Sequence, residues 1–156
     1  MCSRGSRRWL PVFEAGQAVR FIRYLWAAPC TLMGLILIAP GFLFGAFARR
    51  VDGVIEIAAP AAMQGSRWLR ALPFNAITFG HVVFATSVME LERLRAHEHA
   101  HVRQYEQWGI FFLLAYPASS VWQWLRGRRA YMDNWFEVQA RRSAGEVCGR
   151  RAVDGG

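Results

Sequence analysis

The sequence predicts a small α+β domain behind an N-terminal membrane helix or helical hairpin. Three observations carry that expectation. Residues 24–48 run for 25 positions without a charge. As a helix they would reach about 37 Å, enough for a hydrocarbon core of about 30 Å with tilt. Two β-branched runs, Val54-Ile55-Glu56-Ile57 and the stretch from Ala76 to Ala85, read as strands. Beyond Ser87, the spacing of Leu91, Leu94, Arg95, Glu98, Val102 and Tyr105 is helical as far as Gly109.

The chain has 156 residues, 54% of them hydrophobic and 19% charged, with a mean hydropathy of +0.12. That is too apolar for a disordered chain and high for a small soluble domain. The net charge of +8 rests on nineteen arginines and no lysine. The arginines are scattered and flank apolar runs, which fits a lipid surface and gives no reason to expect nucleic acid as a partner. Cys2, Cys30 and Cys148 are odd in number and far apart, which excludes a disulfide scaffold and a cysteine-based zinc module.

Residues 1–23 form a basic segment, with Arg4, Arg7, Arg8, Arg20 and Arg23 against the single acid Glu14. Residues 24–48 follow as a transmembrane or apolar anchor, closed by Arg49 and Arg50. Pro29 and Pro40 allow a kinked span or a short helical hairpin as readily as a straight rod. A cleaved signal and a buried core helix are the alternatives; the long basic leader and long apolar run favour a retained anchor. The arginine asymmetry places the N-terminus in the cytoplasm, with a bacterial inner membrane as the expected location.

Residues 49–142 form the domain proper, with strands near 54–58 and 76–85. Gly80 marks a bulge or a close backbone approach. Ser66 to Leu72 can hold a helical turn. Thr86 or Ser87 caps the helix over residues 88–108, and Ser87-x-x-Glu90 matches a capping box. Residues 107–125 are a second uncharged run, interrupted by Pro117, with Ser119 and Ser120 read as helix filling. Asp133 and Asn134 open a last short helix to Arg142, and residues 143–156 are expected to be a disordered tail.

Chemistry concentrates in His97-Glu98-His99-Ala100-His101, which contains H-E-x-x-H. Residues four apart on a helix share a face, so His97 and His101 can take one Zn²⁺ at about 2.0–2.1 Å. Glu98 lies about 100° round from His97, placed to address a water on the metal without ligating it. His99 points to the opposite side. A third protein ligand is needed. Glu106 and Glu92 are off the face, and Glu90 is about 10 Å away along it. Another element must supply the ligand, and Glu137 is the best-placed acid. Asn134-x-x-Glu137 is equally a capping-box pattern, so local spacing alone leaves its role even. Gln104 and Tyr105, one turn beyond His101, are placed either to support it or to pack the helix. Tyr131 is a candidate electrophilic donor.

The segments HEHAHVRQYEQWG and YMDNWFEVQAR resemble the gluzincin metallopeptidases, in which a Glu on a later helix completes H-E-x-x-H. They are similar also to the integral-membrane gluzincins with E-x-x-A-D, and more so to small bacterial proteins reading H-E-x-x-H-V-R-Q-Y-E-x-W-G and N-P-F-E-x-E-A. The likeness spans residues 76–142. It implies a zincin-like core, with His97, His101 and Glu137 as zinc ligands and Glu98 as general base. It further implies a peptide substrate paired along the strand between Ile77 and Ala85. Arg141 stands where E-x-x-A-D has its acid, and Trp135 where the small proteins have proline. Two rival functions stand beside this: a non-catalytic metal-binding membrane protein, and a lipid-binding anchor with a chance H-E-x-x-H. The zinc reading carries a topological condition. If residues 107–125 crossed a bilayer fully, His101 and Glu137 would lie on opposite sides, so the run is expected to turn back near Pro117 or to lie within the protein or interface.

Overall fold

The computed structural model describes residues 13–153. Residues 1–12, most of the basic leader, and residues 154–156 lie outside the described range. Within it, five helices and four strands follow the order α1 (Phe13–Leu43), β1 (Phe47–Val51), β2 (Val54–Ala58), α2 (Arg67–Ala71), β3 (Ala76–Phe79), β4 (Val82–Ala85), α3 (Val88–Trp108), α4 (Phe112–Leu125) and α5 (Trp135–Val153). The class is α+β, as the sequence predicts.

The sheet has the order β1-β2-β4-β3. β1 and β2 form an antiparallel hairpin closed by Asp52 and Gly53, both at positive φ (51° and 84°), as a two-residue turn of this hand requires. β2 and β4 pair in parallel, β3 and β4 antiparallel. Residue alternation divides the sheet into two apolar faces. Val54, Ala58, Val83 and Ala85 pack with Leu91 and Val102 of α3, while Ile57 and Val82 pack with Ile38 of α1. The sheet is therefore held between α3 and α1.

Glu56 shares the α3 face and is fully buried. Its carboxylate accepts from Arg49 Nε at 2.8 Å and Arg95 Nε at 2.9 Å, with His99 Nε2 at 3.0 Å. Three partners compensate the burial of one charge and bind strand to helix. A third cluster, Ala27, Cys30, Tyr105, Phe112 and Phe136, joins α1, α3, α4 and α5 beneath the helical end of the domain.

Several expectations are corrected. The apolar run does not stay helical to Ala48: α1 ends at Leu43, and Phe47 and Ala48 begin β1. Neither proline breaks α1 into a hairpin; the helix continues through both. The stretch between Ala76 and Ala85 is two strands, because Gly80 (φ 57°) and His81 turn the chain. Gly80 touches α1 so closely that a Cβ there would meet Thr31 and the Ala27 carbonyl. α4 runs unbroken through Pro117. The direction changes instead at Gly109 (φ 55°), packed against the Trp26 ring, and again at Gly127. Helix α5 continues to Val153, through most of the segment expected to lack structure.

Candidate metal centre

The site is assembled by two helix starts. Ser87 Oγ accepts the Glu90 N–H at 3.1 Å and sets the beginning of α3. Its register then sends His99 to Glu56 at the sheet, while His97 and His101 face α5. At the other helix, Asn134 is fully buried. Its Oδ1 accepts the Phe136 N–H at 2.9 Å, and its Nδ2 donates to the Tyr116 carbonyl at 3.0 Å and Ser120 Oγ at 2.7 Å. Ser119 Oγ accepts the Trp135 N–H at 3.1 Å. Ser119 and Ser120 are thus the attachment of α5 to α4, a role that helix filling misses. With Asn134 and Ser119 taking the first N–H groups of the helix, Glu137 on the first turn is free to turn inward.

His97 Nε2 and His101 Nε2 are 3.1 Å apart. Glu137 Oε1 lies 3.2 Å from His101 Nε2, and Oε2 lies 3.4 Å from His97 Nε2. Ligands at about 2.0–2.1 Å round a tetrahedral ion stand about 3.3–3.4 Å from one another. The three side chains can therefore hold one metal ion with little movement. Two further facts fit a cation. Glu137 Oε2 is buried without a hydrogen-bond donor, a costly state for a carboxylate oxygen. Two imidazole nitrogens facing each other share at most one proton, whereas a metal satisfies both lone pairs.

The surroundings orient these groups. Gln104 Nε2 donates to the Phe136 carbonyl at 3.0 Å and to Gln139 Oε1 at 2.8 Å, which fixes its amide. Its Oε1 then accepts from His101 Nδ1 at 2.8 Å, leaving the His101 Nε2 lone pair toward the cluster. Tyr116 donates to Glu137 Oε1 at 2.8 Å. Burial works to raise the Glu137 pKa, but His101, His97 and Tyr116 outweigh it and hold the carboxyl far below its ordinary range. Burial likewise pulls the His101 imidazolium down, and Glu137, Glu98 and Gln104 more than offset it, so its pKa is raised.

Glu98 is buried beside the cluster, its Oε2 accepting from Thr78 Oγ1 at 2.7 Å. Tyr131 is half exposed on the same cleft. Partial burial, then the nearby Glu137 and Glu98 carboxylates, push its phenol up to about 12. Arg141 Nη1 sits 3.6 Å from Glu137 Oε2, a cation where the resemblance has an acid. The cleft measures about 950 Å³ and is bounded by β3, α3, α4 and the α5 start. Only β3 offers it an open strand edge, since β4 lies between β2 and β3; the strand expected between Ile77 and Ala85 contributes its first half alone.

All of His97, Glu98, His101, Gln104, Tyr131 and Glu137 reach this region. Sequence reasoning missed Thr78 and Tyr116, which act across 20 and 21 residues of chain. No spacing rule connects positions so distant. Comparison with protein-family models, curated proteins and solved structures finds no match to this chain.

Proposed function

We propose that this chain is a membrane-associated zinc metallopeptidase with a zincin-like core. The observation that carries the reading is the His97–His101–Glu137 cluster, three donors at near-tetrahedral separations with an orphaned carboxylate oxygen. Two imidazoles and one carboxylate, with a cleft left open beside them, are a donor set of catalytic zinc. Zinc bound there would lower the pKa of a water and polarise a substrate carbonyl.

The remaining work belongs to the chain. Glu98, steadied through Oε2 by Thr78, takes a proton from the attacking water and delivers it to the leaving amine. Tyr131 stays protonated at neutral pH and can donate to the oxygen that gains charge. Gln104 and Tyr116 hold the His101 ring and the Glu137 carboxylate in place. An extended peptide would pair along β3. The Thr86 N–H bonds the Asn75 carbonyl, so antiparallel alternation turns the main-chain groups of Ala76 and Thr78 outward to the free edge. α1, apolar and long enough to cross a bilayer, supplies the membrane attachment.

The test pairs metal analysis with hydrolysis of a quenched-fluorescent peptide library. Wild type and Glu98→Gln should each carry about one Zn²⁺ per chain. Only wild type should cleave, with the variant slower by about 10²–10⁴-fold. A zinc-loaded wild type without hydrolysis would identify a non-catalytic metal protein. Absence of metal would leave a lipid-binding anchor, and iron in place of zinc would replace hydrolysis with another chemistry.

A further inference from the structure

We propose that α1 lies in the plane of an anionic membrane surface instead of crossing the bilayer, and that the outer face of α4 docks on the same lipid.

The first ground is what α1 touches. Ala27, Cys30, Gly34 and Ile38 are buried along one side of the helix. Tyr24 donates to the Gly53 carbonyl at 3.1 Å, Thr31 Oγ1 accepts the His81 N–H at 3.0 Å, and Ile38 packs on Ile57 and Val82. These contacts spread over about 21 Å of helix. A perpendicular span through that segment would carry the sheet into the hydrocarbon. The sheet has two open edges, β1 and β3, and β1 carries the exposed Arg50. Open edges and exposed charges are not tolerated in lipid. Releasing α1 to cross alone would instead uncover Ile57 and Val82.

The second ground is what the helices leave uncovered. On α1, Leu25, Leu32, Ile36, Leu37, Phe42 and Leu43 are exposed. On α4, Leu114, Val121, Trp122, Trp124 and Leu125 are exposed. Trp26 of α1 meets Phe111 at the start of α4 with ring centroids 6.1 Å apart, so the two faces adjoin. Arginines close both ends: Arg20 and Arg23 on α1, Arg126, Arg128 and Arg129 after α4, with Arg126 over the Trp122 ring at 5.7 Å. Apolar faces rimmed by tryptophan and arginine match the interface of an anionic bilayer, and the net charge of +8 has the complementary sign. This inference is independent of the peptidase reading.

The full chain, with native cysteines replaced, would carry single cysteines at exposed Arg20 or Arg50, which flank the apolar part of α1. In spheroplasts, a membrane-impermeant maleimide should treat both positions alike, labelling both before lysis or both only after it. Labelling of one before lysis and the other only after it would show that α1 crosses, and would overturn the proposal. Purified full chain should also sediment with phosphatidylglycerol–phosphatidylcholine vesicles. Replacing Arg126, Arg128 and Arg129 by Gln should weaken that binding about fivefold per charge removed, with an unchanged melting transition. A fluorophore at Leu114→Cys should be quenched by brominated acyl chains. A soluble dimer that ignores vesicles, with no quenching at position 114, would assign the face to a second copy and end the proposal.

Discussion

At Glu137, two opposed demands meet: the carboxylate is buried, and one oxygen has no donor. A cation resolves both. Metal content should therefore collapse in His97→Ala, His101→Ala and Glu137→Ala, measured by mass spectrometry of purified chains, because three ligands are the minimum for an open site. His99→Ala should keep its metal, since its ring bonds Glu56 on the opposite side of α3. Tyr116→Phe should weaken the ion by about 10–100-fold, as loss of an orienting partner does. Glu56 poses the same electrostatic problem in a structural setting. Burial would raise its pKa, but Arg95, Arg49 and His99 prevail and hold it below its ordinary value of 4.5. A depressed folded-state pKa stabilises the fold above the unfolded value, and that stability is lost as pH falls through the folded one. The denaturant midpoint should fall between pH 7 and pH 3. Glu56→Gln should cost about 3–5 kcal/mol of folding stability at pH 7, by leaving two guanidiniums short of a partner, and should flatten the acid dependence.

Helix starts, more than helix lengths, decide whether the site forms. α3 begins at a serine cap, and Ser87→Ala should cost about 1 kcal/mol without moving the ligands, which lie beyond the first turn. Asn134 carries more. It caps α5 and also ties that helix to Tyr116 and Ser120 of α4. Asn134→Ala should cost about 2–3 kcal/mol, because it removes a cap and two part-buried hydrogen bonds to α4. It should lower metal affinity as well, since Glu137 lies in the turn it positions; denaturant unfolding checks the stability loss and isothermal titration with Zn²⁺ the affinity. The local rules succeed where the signal is local: the shared face of His97 and His101, the Ser87 cap and the Gly109 stop all stand as the spacing predicts. Pro117 misleads, because a helix can lose one backbone bond and continue, whereas Gly109 turns the chain through its positive φ against Trp26. β1 escapes notice because an exposed edge of Phe-Ala-Arg-Arg-Val carries little strand pattern and directly follows an apolar helix.

Taken whole, the molecule makes α1 a layer of the domain as well as an apolar helix. The sheet face bearing Ile57 and Val82 is covered by Ile38 and Leu35, and the cluster under the site includes Ala27 and Cys30. A chain cut after Ala48 should consequently aggregate or lose its cooperative melting transition, as followed by light scattering and circular dichroism. A stable, soluble chain beginning at Arg49 would show that the sheet tolerates losing its cover. The same packing brings His101 and Glu137 together although an uncharged run of 19 residues separates their helices. α4 is only about 21 Å long, and the chain reverses at Gly109 and Gly127 on either side of it.

Spacing along the chain is enough to set His97 and His101 on one helical face, Glu98 beside them and His99 away, because the helical repeat relates residues within one turn. It is also enough to mark residues 24–48 as apolar and the class as α+β. It leaves Glu137 suspended between ligand and cap, since Asn134-x-x-Glu137 fits either. Tertiary packing places its carboxylate: Asn134 and Ser119 take the first N–H groups of the helix, and Glu137 turns inward to Tyr116, His97 and His101. The same is true of Thr78, of the open edge that β3 turns to the cleft, and of α1 as the cover of the sheet. Each depends on atoms brought together from distant parts of the chain, and periodicity carries no information about such meetings.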